Sequence, residues 1–132
     1  MKTPIVTLFL GLFSVMGSAF ADESATTPTV LTLKHANEAR RFYRVNGLLM
    51  NETCRSDLSR CKAYLTSKTP LIQSKDPHPR WLGNPAATNC KADGGTSLIF
   101  SDSGGNELGI CSFDDGSMID DWDLYRQQAS RR

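Results

Sequence analysis

The 132-residue sequence contains no Gly-x-Ser-x-Gly elbow, no Walker loop, no Rossmann glycine fingerprint and no His-Glu-x-x-His pair. The hydrolase, nucleotide-binding, dinucleotide-binding and zincin chemistries built on those motifs therefore have no anchor in it. Its four cysteines include no Cys-x-x-Cys, which removes a thioredoxin-like redox pair and the close ligand pairs of structural zinc sites. His35 and His78 stand apart, with no nameable partner for base catalysis or metal binding. Asp114, Asp115, Asp120, Asp121 and Asp123 lack the alternating ligands, central Gly and terminal Glu of an EF-hand. Turns and first helical turns account for them instead. No catalytic residue, metal ligand or cofactor is expected, and the chain does not read as an enzyme. Internal repeats are absent too.

Excess charge is also missing. Of the 15 Lys and Arg only Lys2 lies within the first 21 residues, and all 14 Asp and Glu lie beyond them. The remainder is therefore formally neutral, which argues against a nucleic-acid partner, because that affinity rests on neutralised phosphates. Arg40, Arg41 and Arg44, at helical spacing beside Glu38, read as a solvated face. Long apolar runs are scarce: Ile5 to Met16 is interrupted by Gly11 and Ser14 and falls short of the roughly 18 residues that mark a membrane span. Preceded by Met1-Lys2 and followed by Gly17-Ser18-Ala19-Phe20-Ala21, it reads as a cleavable secretory signal over residues 1–21. No cysteine follows it where a lipoprotein signal requires one. Cleavage leaves about 111 residues, enough for one small core. The expectation is a monomer in the periplasm or the secreted fraction, with no transmembrane segment once the signal is removed.

What is present divides the mature chain into a flexible Ser/Thr/Pro leader at 22–29, an N-terminal region of uncertain fold at 30–80, and a better-marked module at 81–132. Val30 to Leu33 alternates as a short strand, and His35 to Val45 carries Ala39, Phe42 and Val45 at helical spacing. Asn46-Gly47 can end that helix, since both residues tolerate positive φ. Met50 to Thr66 is partly helical. Asn51-Glu52-Thr53 matches a glycosylation sequon and is taken as chance. Pro70, Pro77 and Pro79 punctuate a loop in which Trp81, beside Arg80, is the candidate exposed recognition residue. Asn84 and Pro85 suit the N-cap and first position of a helix reaching about Ala92, with Gly94-Gly95 to stop it. Thr96 to Asp102 and Glu107 to Phe113 form a hairpin around Gly104-Gly105. With those two glycines as the turn, Phe100 faces Gly109, and Leu98, Phe100, Cys111 and Phe113 share one face. Asp114 to Ser117 is a turn, and Ser117 caps a last helix that turns Ile119, Trp122 and Tyr125 towards the core. The class is α+β: a small disulfide-stabilised domain whose C-terminal unit runs helix, β-hairpin, short helix.

Several of these residues carry a family pattern: Asn84-Pro85-Ala86, Cys90, Gly94-Gly95, Gly109 to Cys111, Asp115-Gly116-Ser117 and Trp122 to Arg126. In that order and spacing they resemble the bacterial domain of unknown function 333, a family that carries a haemolysin label and no established reaction. Cys54, Cys61, Cys90 and Cys111 belong in disulfides in an exported chain, and composition alone leaves all three pairings open. The family pattern implies two further cysteines where this chain has Ile119 and Ala129. Their joint absence implies that they pair with each other, leaving Cys90 with Cys111 and Cys54 with Cys61. Seven residues of straight helix would hold Cys54 and Cys61 about 10.5 Å apart, so that bridge needs a bend between them.

Two functions follow from these readings. The first is an exported non-catalytic binding module, presenting a cross-linked surface to an envelope or extracellular protein, with inhibition of an extracellular hydrolase as one version. The second, implied by the family label, is a membrane-active haemolysin-like protein, for which the residues supply no long cationic amphipathic stretch.

Overall fold

The computed structural model describes residues 29–72 and 83–131. The signal, most of the leader, His78, Arg80 and Trp81 lie outside the described residues. Six antiparallel strands close into a barrel: β1 (Val30–His35), β2 (Glu38–Val45), β3 (Leu48–Asn51), β4 (Thr96–Ser101), β5 (Glu107–Ser112) and β6 (Met118–Asp120), in spatial order β1-β2-β3-β6-β5-β4. Helices α1 (Thr53–Ser56), α2 (Lys62–Ser67), α3 (Pro85–Ala92) and α4 (Asp121–Ala129) interrupt and follow the strands, with a 3-10 turn at Leu58–Arg60. The protein is thus α+β with two disulfides, and the barrel is an addition to what the sequence implied.

The expected helix over His35 to Val45 is the strand β2, paired with β1 on one side and β3 on the other. The apolar residues at helical spacing were misleading because only Phe42 reaches the barrel interior, while Ala39 is exposed and Val45 packs on the outer face. Asn46 and Gly47 do have positive φ, 51° and 80°. Two such residues between adjoining strands make a tight hairpin turn, so the chemistry that was to end a helix joins β2 to β3. Arg40, Arg41 and Arg44 lie on this strand and pair with Glu38, Glu52 and Asp123.

Two apolar layers result. Leu33, Phe42, Leu49, Phe100, Ile110 and Met118 fill the barrel, with Phe42 and Phe100 meeting edge to face at 5.6 Å. On the outside Leu48, Met50, Cys111, Phe113 and Ile119 are covered by the helices, together with Cys54, Cys61, Cys90 and Leu124.

The C-terminal hairpin exists, but its register is one residue away from expectation: Phe100 pairs with Leu108, Leu98 with Ile110, and Ser97 with Cys111. The cause is the turn. Asp102 Oδ1 accepts from the amides of both Gly104 and Asn106, and the Asp102 amide donates to the Asn106 carbonyl at 2.9 Å. A five-residue loop therefore replaces a two-residue one. A shift of one residue reverses the faces, so Leu98 and Phe100 point into the barrel while Cys111 points out towards the helices.

The last expected helix is also redrawn. Ile119 belongs to β6, and α4 starts two residues later, capped by Asp120 Oδ1 accepting the Asp123 amide at 2.9 Å. Ser117 caps a different helix, since its Oγ accepts the Ala63 amide of α2 while Asp115 Oδ2 accepts that of Lys62, both at 2.9 Å. Gln128 is fully buried, its Oε1 accepting from Asn89 at 2.6 Å and its Nε2 donating to the Thr66 carbonyl and to Asp93.

Candidate ligand-binding groove

Most of the sequence-marked residues serve the fold. Cys90–Cys111 bolts α3 to the outer face of β5, with Cα atoms 5.7 Å apart, and Cys54–Cys61 spans the bend between α1 and α2 at 5.0 Å. Asn84 Oδ1 accepts the Ala86 amide at 2.9 Å, which sets the start of α3. Gly94, at φ 84°, ends that helix. Gly95 has a separate reason: a Cβ there would lie 2.5 Å from Cys111 Sγ and 2.9 Å from Cys90 Sγ. His35 is half-buried at the end of β1, its Nδ1–H donating to the Ile99 carbonyl at 2.8 Å. Asn51 of the sequon is buried, with its amide bonded to Gly116 and Met118, which leaves no room for a sugar.

The aspartates divide by role. Asp114 pairs with Lys62 on the surface. Asp123 Oδ2 accepts the Leu49 amide at 2.9 Å and faces Arg44, while Oδ1 faces Arg126. Asp121 does not fit the turn-and-cap explanation: it is fully buried, Oδ2 accepts from Ser97 Oγ, and Oδ1 has no partner. Burial raises its carboxyl above the ordinary range against the Ser97 bond, and the charge of Asp120 pushes the same way. The carboxylate occupies the space beside Gly109, where a Cβ would come within 2.7 Å of Oδ2. One oxygen of Asp121 lies within 4.8 Å of both cysteine sulfurs, but these sulfurs are bonded to each other. A lone carboxylate beside them makes no metal centre.

Beside Gly109 the surface opens into a shallow groove of about 440 Å³ between the outer face of β4–β5 and the first turns of α4. Ile99, Leu108 and Trp122 supply its apolar surface, and Asn84, Glu107, Asp120 and Arg126 its polar rim. Trp122, expected in the core, is 40% exposed, and Ile99 is 53% exposed. Tyr125 stands edge to face against the indole at 5.8 Å. Burial raises the Asp120 carboxyl, against the Asp123 amide that it caps. Sequence reasoning missed this site because the side chains come from separate segments. Only Trp122 and Arg126, one helical turn apart, carried a local signal.

Residues 82–128 match the family model for the domain of unknown function DUF333. No curated protein and no solved structure matches the chain significantly. The DUF333 segment supplies β4, β5, β6, α3 and most of α4, and so half the strands of the barrel. Its Asn-Pro-Ala cap, cysteines, glycines and Asp-Gly-Ser turn all have structural tasks. Trp122 and Arg126 are the large motif side chains that stay exposed.

Proposed function

We propose that the protein is a non-catalytic binding module, exported to the periplasm or the secreted fraction, that holds its target in the Trp122 groove. The observation that carries this reading is an exposed tryptophan, packed edge to face with Tyr125, next to an exposed isoleucine in a recess rimmed by both signs of charge. Such aromatic anchors dominate recognition when they are ordered before binding. Two disulfides suit an oxidising compartment. Among the described residues no helix is long and apolar enough to cross a membrane. Asp115, Asp120 and Asp123 are engaged as caps and ion-pair partners, which suits a framework better than a reaction centre. The test immobilises the oxidised protein beside a Trp122→Ala variant and exposes both to envelope and culture extracts. The expected outcome is an envelope component retained by the wild type and lost from the variant, with near-UV circular dichroism showing both folded. Equal retention by the two proteins removes the groove from the function.

A further inference from the structure

Resting on the binding-module reading, we infer that the groove takes an uncharged oligosaccharide, with Trp122 as the stacking platform. A pyranose ring has one face of C–H bonds and an equator of hydroxyls. The first packs against an aromatic ring, and the second needs donors and acceptors around it. Trp122 and Ile99 provide the apolar floor. Asn84 and Arg126 bring N–H donors, and Glu107 and Asp120 bring carboxylate acceptors, which form the stronger charge-assisted bonds to hydroxyls.

Competing ligands fit less well. A polyanion would meet two carboxylates against the single guanidinium of Arg126, itself already paired with Asp123 at 2.8 Å. The β4–β5 ladder runs unbroken from Thr96–Ser112 to Ser101–Glu107, so the floor of the groove is the face of a sheet, where a ligand meets side chains. A sugar chain needs neither counter-charge nor a strand edge. The open shape of the recess also suits a chain that continues past the bound unit.

The test is a titration of the 15N-labelled oxidised protein, purified from cells expressing the whole chain, with hexamers of β-1,4-linked N-acetylglucosamine, β-1,4-linked glucose and α-1,4-linked glucose. At least one should produce saturable shifts at the Trp122 indole N–H and at the Ile99 amide. Trp122→Ala should weaken that binding at least tenfold while keeping a dispersed spectrum, and Trp122→Phe should weaken it less. No saturable shift with any hexamer at millimolar concentration overturns the inference, as does binding that survives Trp122→Ala. If a protein from the extracts is retained through Trp122 while every sugar fails, the ligand class is wrong and the binding module stands. If both assays are negative, both fall.

Discussion

A buried carboxylate with one orphaned oxygen costs free energy unless it is protonated. Asp121 is ionised in the unfolded chain above its ordinary value of 3.8, and burial raises that value in the fold. As pH climbs from 3.8 to the raised value, the unfolded state releases its proton first, so stability falls across that window and then levels off. Asp120 and Asp93 act in the same direction, also through burial, whereas Asp115 acts in the opposite one. An Asp121→Asn variant isolates the effect. Its melting temperature should exceed the wild type's at pH 7, and the difference should vanish by pH 3. A variant that is destabilised at both pH values would show that the charge serves the fold. Gly95 is the other sensitive residue: Gly95→Ala drives a methyl group into the Cys90–Cys111 disulfide and should cost about 1–3 kcal/mol in urea denaturation.

Among the elements, the weak joints of the barrel are its two seams. Strand β1 meets β4 through one residue pair, Lys34 with Ser101, and β3 meets β6 through one, Met50 with Ile119. Side chains reinforce both: His35 bonds the Ile99 carbonyl across the first, and across the second Asn51 bonds the Gly116 carbonyl and the Met118 amide. Asn51→Ala orphans those two backbone groups and should destabilise the protein by about 1–3 kcal/mol, with amide exchange quickening first at Met118. Removing a sequon without structural effect would give no such change. The elements also show where sequence reading failed. Helix α3 was legible because its cap, first-turn proline and terminal glycine are local. Strand β2 was not, because Glu38 to Val45 is held as a strand by partners on both sides and its own spacing suits a helix equally well. The hairpin register depended on Asp102 extending the turn, and that one residue decided which face Cys111 occupies.

For the whole molecule, the boundary of the family match is not a boundary of the fold. Residues 82–128 contain three of the six strands. The amides of Lys62 and Ala63 in α2 are capped by Asp115 and Ser117, so the two halves complete each other's backbone bonding. Expressed alone, 82–128 should give a collapsed amide spectrum, and adding a chain covering 29–72 should restore dispersion if the halves reassociate. The Cys90–Cys111 link closes a loop with a sequence separation of 21, and Cys90→Ala with Cys111→Ala should lower stability by about 3 kcal/mol. Loss of the groove should accompany it, because Asn84, Gly109 and the start of α4 are held near that bond.

By itself the sequence determined the mixed helix-and-strand character, the start and stop of α3 and the strands of the C-terminal hairpin, all of which depend on residues close together in the chain. Tertiary structure alone decided that β2 is a strand, that the two halves close one barrel, that Ser117 caps α2, and that Trp122 faces outward beside Ile99. Each of these is set by groups distant in sequence, whose hydrogen bonds and packing outweigh local preference by amounts that no local pattern records.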